Sequence, residues 1–251
     1  MIEEKFAYGS SFIHKLDPKI RILALIVLSF AAALCDNLYL AVIYFVISII
    51  LIAMAGLNRI DVLKRLKPLF WFLLMIWIIL PLTFDGDIMY QFYWLKITGQ
   101  GVILCCKITI KSITILLIFT ALIATMTIAS LGSGLHKIHV PDKMVFLILM
   151  SYRYISVIEE EYKRLLRAAK FRGFKPGTNL HSYKTFAYLA GMLFVRASLR
   201  AQRVHQAMLC RGFNQKFHTL DDYPPNRLNS IFLMGISAAS LSLVLFEIMW
   251  V

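Results

Sequence analysis

Two arginines recur in one setting. "RAAKFRGF" and "HQAMLCRGF" both reduce to Ala-x-x-x-Arg-Gly-Phe, Ala168 to Phe174 and Ala207 to Phe213, with Arg172 and Arg211 39 residues apart. A guanidinium presents a planar fork of donors that matches a carboxylate at two points. Ala168 and Ala207, one helical turn earlier, are small enough to let a partner surface come close. The same letters also spell an ordinary helix stop, a Gly just past the end with a cation in the last turn. The residues alone leave both readings open.

Other reactive residue types carry less. His136 and His139 in "HKIH" are spaced for a metal pair on a helix, but Gly132, Gly134 and Pro141 flank them, and no metal site is expected. Glu159, Glu160 and Glu161 suit helix ion pairs, Glu159 with Lys163 and Glu160 with Arg164, better than catalysis. Gly132-Ser133-Gly134 lacks the spacing of a phosphate loop and no Walker Lys-Ser/Thr follows, so ATP binding is not expected. Cys35, Cys105, Cys106 and Cys210 show no C-x-x-C spacing and read as structural thiols. With no acid, base or metal constellation at membrane depth, the chain is expected to be no enzyme and to carry no cofactor.

The elements that position these residues follow from composition. Of 251 residues 59% are hydrophobic, and mean hydropathy is +0.72. A soluble domain is nearer ~45–50% apolar. Net charge is +13, and a chain both basic and this apolar faces a bilayer rather than nucleic acid. The N-terminus holds two early acids and no signal-peptide pattern.

A crossing helix needs about 20 mostly apolar residues. Segments 20–35 (short, opened by Asp17-Pro18 as N-cap and first helical residue), 38–56, 68–84, 101–131 and 230–251 qualify or nearly so. Segment 101–131 exceeds one crossing and must tilt, bend or run past the hydrocarbon. Lys and Arg number four in 1–21, four in 57–67 and sixteen in 132–229, against none in 36–37 and one (Lys96) in 85–100. Positive residues stay inside. The expected class is therefore an all-α integral membrane protein with about five transmembrane helices, N-terminus cytoplasmic and C-terminus outside. Residues 1–131 form a membrane region, 132–226 a cytoplasmic segment of long amphipathic helices, and 227–251 a last crossing. Lys107 and Lys111, four apart in the fourth segment, are expected to reach toward the outer interface. Glu247 is similarly terminal.

Within 132–229, "LGSGLHKIHVPDKM" reads as a turn. Two long helices follow, apolar early and basic late, each ending in Arg-Gly-Phe. "FAYLAGMLFV" (186–195) is too short to span and suits a buried or interfacial helix half. In projection, Arg211 extends a basic stripe of Arg196, Arg200 and Arg203. Arg172 falls about 180° from Lys163, at the edge of the apolar face. That placement predicts Arg172→Ala to be the more damaging change.

Two Arg-Gly helix ends about 40 residues apart, together with "HKLDPKIRIL", "VPDKMVFLILMSYRYISVIEEEYKRLLRAAKFRGF" and "RASLRAQRVHQAMLCRGF", resemble the transmembrane T component (EcfT/CbiQ family) of energy-coupling factor transporters. The likeness covers nearly the whole chain and is strongest over 135–215. The family's Ala-Arg-Gly core is here Phe171-Arg172-Gly173 and Cys210-Arg211-Gly212. "YGSSFIHKLDPK" looks more like the cobalt and nickel (CbiQ) branch than the branch shared by vitamin-specific binding subunits.

The resemblance implies a multi-pass subunit of the prokaryotic cytoplasmic membrane. Two ABC-type ATPase subunits would receive Arg172-Gly173 and Arg211-Gly212, with Ala168 and Ala207 beneath them and Arg153, Glu160, Arg164, Arg200 and Arg203 as supporting charges. ATP-driven motion would pass to a separate CbiM-like substrate-binding subunit, which holds any metal. A membrane enzyme, or a scaffold whose basic segment binds anionic lipid, remains the competing class.

Overall fold

The computed structural model describes residues 6, 7, 9, 11–84, 88–92, 95–213 and 227–250. The helices are α1 (Pro18–Leu34), α2 (Leu38–Ala55), α3 (Arg59–Thr83), α4 (Gly99–Leu122), α5 (Ile128–Lys137), α6 (Asp142–Phe171), α7 (Leu180–Cys210) and α8 (Arg227–Trp250). A small antiparallel hairpin, β1 (Ile88–Phe92) with β2 (Leu95–Thr98), interrupts this helical chain between α3 and α4. Among the described residues, one compact unit comprises positions up to Gly134 together with α8, and the other runs from Leu135 through Phe213.

In the first unit, α2, α3, α4 and Leu228–Glu247 of α8 are long and apolar enough to cross a membrane. The chain is an all-α integral membrane protein. The expected first crossing is a helix of 17 residues, about 25 Å long at 1.5 Å per residue, against the ~30 Å of a hydrocarbon core. It starts as the sequence predicts, with Pro18 at the first helical position and the Asp17 carboxylate accepting from the Lys19 amide at 3.0 Å. The third begins nine residues before Pro68, because "RIDVLKRLK" continues the helix toward its N-terminus.

Segment 101–131 is two helices, broken over 123–127. The Thr120 and Thr125 hydroxyls donate back to the Leu116 and Ala121 carbonyls at 2.8 Å, a pattern that bends helices. The expected turn at "LGSGLHK" is instead the body of α5. Gly134 serves close packing: a Cβ there would lie 2.9 Å from Ile22 Cδ1 and 3.0 Å from the Pro18 carbonyl carbon. The chain turns only at His139, whose φ is 68°.

α4 packs against α1, α2 and α3, and α8 against α1. Leu28, Tyr44, Ile118 and Leu122 are fully buried where these helices meet, and the Tyr44 hydroxyl donates to the Ser240 carbonyl of α8 at 3.3 Å. Charged side chains close one end. Lys111 Nζ donates to the Ala33 carbonyl at 3.0 Å and pairs with Asp36 at 3.3 Å. Glu247 accepts from the amides of Asp36 and Asn37, capping α2, whose own N-cap Asn37 makes no side-chain cap bond. Lys111 does leave mid-helix for a polar turn, as expected of a snorkelling lysine. Its ammonium is bonded to that turn, and the side chain is only 20% exposed.

Gly134→Val tests the close approach of α5 to α1. Overpacking of this kind costs about 1–3 kcal/mol, which is expected to lower the thermal midpoint of the purified chain in detergent. An unchanged midpoint would contradict the packing described.

Candidate functional site

The two Arg-Gly-Phe endings have one backbone design. Arg172 and Arg211 are the C-caps of α6 and α7, with φ/ψ of −86°/16° and −93°/11°. Each following glycine is left-handed, Gly173 at φ 82° and Gly212 at φ 73°, a conformation that costs other L-residues roughly 1–2 kcal/mol. The Gly173 amide donates to Lys170 O at 3.0 Å and the Phe174 amide to Ala169 O at 3.1 Å. At the second site Gly212 donates to Leu209 O at 2.9 Å and Phe213 to Met208 O at 3.0 Å. Both are Schellman motifs, complete in both hydrogen bonds. The helix-stop reading therefore holds at each.

The caps also do more than stop a helix. Phe174 is buried, edge-on to Phe186 at 5.5 Å and near His181 at 6.3 Å, so the end of α6 is pinned to the start of α7. Phe213 packs on Phe146 at 5.4 Å, pinning the end of α7 to the start of α6. The helices thus run antiparallel, and Arg172 and Arg211 project at opposite ends of the pair. The 26 residues from Phe146 to Arg172 put roughly 40 Å between them at 1.5 Å per residue.

Both arginines are exposed, as are Ala168 and Ala207. The projected position of Arg172 at a buried edge is corrected here: the helical angle stops applying at the cap, where the backbone leaves the helix. The structure offers the two arginines in matching settings and no basis for ranking them. A Cβ on Gly173 or Gly212 would touch nothing within 4 Å, so the surface around each arginine is open.

What fixes the register of α6 on α7 is Glu161. Its carboxylate bonds Arg196 and lies 3.8 Å from Arg164 and 4.0 Å from Arg200, with its side chain only 14% exposed. Hydrogen bonding from Arg196, then the three positive charges, hold the Glu161 carboxyl below the ordinary carboxylate range. In the sequence Glu161 has no evident partner across helices, and Arg196 and Arg200 fall on a basic stripe with Arg203 and Arg211. Arg196 and Arg200 both reach the acid while staying about half exposed. Glu159 pairs with Lys163 as expected, whereas Arg164 takes Glu161 instead of Glu160. Arg153 lies over the neighbouring Tyr154 ring at 6.0 Å, and Arg203 Nε donates to Leu199 O at 3.3 Å. Glu160 is exposed.

Beside this hub the helices leave an apolar groove of about 570 Å³, lined by Tyr154, Ile158, Leu193, Val204 and Met208 among others. Away from α6, the early half of α7 exposes Tyr188, Phe194 and Val195, the apolar run expected to be buried or interfacial. His136 does not pair with His139: its Nδ1 meets Asp142 at 2.7 Å. Among the described residues no group of three or more His, Cys, Asp or Glu could hold a metal ion.

The fold and these paired caps define a polytopic membrane subunit that presents two arginine-tipped helices. Residues 9–220 match the family model for CbiQ, described as a cobalt transport protein. The chain belongs to this EcfT/CbiQ family of transmembrane components of energy-coupling factor transporters. It is 26% identical to the energy-coupling factor transporter transmembrane protein EcfT of Bacillus subtilis, over 85% of this chain and 84% of the relative. It is 29% identical to the EcfT of Brevibacillus brevis over 83% of each. The EcfT of Macrococcus caseolyticus is 25% identical over 97% of this chain and 98% of its own length. The chain is accordingly a transport component rather than an enzyme.

Glu161→Ala removes the common partner of three arginines. With spin labels at Ala168 and Ala207, a broadened distance distribution is expected, and an unchanged one would refute the hub. A carboxylate with a lowered pKa stabilises fully above its ordinary value near ~4.3 and loses that contribution as pH falls through the lowered value. The same broadening is therefore expected in the parent protein only as pH falls below the ordinary carboxylate range.

Proposed function

We propose that the chain is the coupling subunit of an energy-coupling factor importer, and that Arg172 and Arg211 each engage one ABC-type ATPase subunit. The observation that carries this reading is the repeated cap. Two exposed arginines in matching backbone settings stand at opposite ends of one rigidly registered helix pair. A plain helix stop needs the glycine but not an open arginine above a bare Ala168 or Ala207. Two equivalent ends suit two equivalent partners, each offering a carboxylate to the guanidinium fork. Gly173 and Gly212 hold each fork clear of its helix. Arg200 and Arg164, paired with Glu161 beside the Arg196 bond, act by keeping the pair stiff, so that displacement of one end is felt at the other.

In this reading α6 and α7 face the cytoplasm, which supplies ATP. The sixteen Lys and Arg of 132–229 support that sidedness by the positive-inside rule, and it places the N-terminus inside, with 132–226 as the coupling segment. The exposed apolar residues of α7 are available to a separate substrate-binding subunit, which takes up the movement. Cobalt is the proposed cargo, on the family description and the N-terminal "YGSSFIHKLDPK"; nickel or another small solute delivered by a different binding subunit is the alternative.

Co-expression with an ABC-type ATPase of an energy-coupling factor transporter tests the assignment. The parent chain is expected to co-purify with the ATPase, and the charge-reversed pair Arg172→Glu with Arg211→Glu to lose it. Undiminished association would overturn the reading. Since the two caps match, Arg172→Ala and Arg211→Ala are expected to weaken ATP-driven uptake by similar factors.

A further inference from the structure

A second site lies in the other unit, where α3 changes character. Its first nine residues, "RIDVLKRLK", carry four basic side chains and one acid, and from Pro68 onward it is apolar. Across that change runs a groove of about 530 Å³. Lys64 and Lys67 line it with their aliphatic stems, together with Leu63, Phe70 and Leu73 of α3 and Ile113 of α4, and its lining is almost wholly apolar. Leu73 is buried at 3% exposure. Six to nine residues separate the lysines from Leu73, about 9–14 Å along the helix.

The two lysines are available. Lys67 is exposed, and Lys64 is 74% exposed with only a 3.8 Å contact to Asp61, an exposed pair of little strength. Arg65 is turned elsewhere, its guanidinium over the Phe6 ring at 5.5 Å. Two lysines one turn apart, their stems along an apolar slot and their ammonium groups exposed beyond it near the start of a spanning helix, complement one chemical class. That class bears an anionic phosphate at the interface and an alkyl chain directed into the hydrocarbon.

We propose that this groove is a binding site for one anionic phospholipid, with the phosphate on Lys64 and Lys67 and an acyl chain lying along Phe70 to Leu73 and Ile113. A free phosphate satisfies the lysines but leaves the apolar slot empty. A zwitterionic lipid fills the slot but brings a compensating cation to the lysines. The lysines thus select the headgroup, and the slot converts a diffuse surface attraction into an ordered site. The inference is independent of ATPase coupling and needs only that α3 sits in a bilayer.

Native mass spectrometry of the full chain in detergent, titrated with phosphatidylglycerol or phosphatidylcholine of equal chain length, tests it. The parent chain is expected to retain one phosphatidylglycerol in clear preference. Lys64→Gln with Lys67→Gln changes only exposed residues; at about 1 kcal/mol per basic residue near an anionic surface, the pair is expected to weaken phosphatidylglycerol binding by about 30-fold and to leave phosphatidylcholine unchanged. Ile113→Trp, which fills the slot without touching charge, is expected to weaken both lipids. Equal affinity for the two lipids in the parent chain, or full retention by the lysine variant, overturns the proposal. So does undiminished binding by Ile113→Trp, or displacement of the lipid by inorganic phosphate, since either reduces the site to surface charge. Loss of a co-purifying protein from Ile113→Trp with lipid binding intact would assign the groove to a protein helix and equally overturn it.

Discussion

The arginine-tipped pair depends on one carboxylate. Glu161 sits between α6 and α7, faces Arg164 on its own helix, and meets Arg196 and Arg200 from the other. Exposed ion pairs usually contribute little, but here one acid serves three cations and is itself mostly covered. Its role is register: the apolar groove beside it tolerates sliding, because Ile158, Leu193, Val204 and Met208 attract without direction. A charge-assisted bond is directional. The Phe174 and Phe213 clamps at the two ends then close in only one alignment, and that alignment sets where both arginines stand.

The membrane unit solves a similar problem by different means. Apolar helices attract one another no more than they attract lipid tails, so their association rests on close packing and on buried polar bonds. Gly134 against Pro18 and Ile22 is the first device. The second is a group of polar bonds: Tyr44 ties α2 to α8, and Lys111 and Glu247 tie α4 and α8 to the end of α1 and the turn after it. Charges that would be costly at the bilayer centre, roughly 2.5–3.5 kcal/mol on insertion scales, are placed at a helix end where each finds a backbone partner.

Features with local causes are legible in the amino-acid sequence itself. Asp17-Pro18 opens α1, the uncharged run 38–56 becomes α2, and Gly173 and Gly212 end α6 and α7 in the left-handed conformation their residue type allows. Features set by a neighbour are not. Nothing in "EEE" singles out Glu161 until the antiparallel register is known. Gly132 and Gly134 imitate turn residues, and only the approach of α1 shows why Gly134 belongs inside a helix. The helical angle of Arg172 misleads for a related reason, since one residue outside the last turn no longer obeys the helix. The hairpin before α4 joins two spans over too few residues for a periodic signal to develop.

The central claim is that two matching arginine caps hold two ATPase subunits. Native mass spectrometry of the complex, formed with the ABC-type ATPase and ionised from detergent, counts the ATPase copies per chain. Two are expected for the parent, one for Arg172→Glu or Arg211→Glu alone, and none for both changes together. Two copies retained by the doubly changed chain would contradict the account.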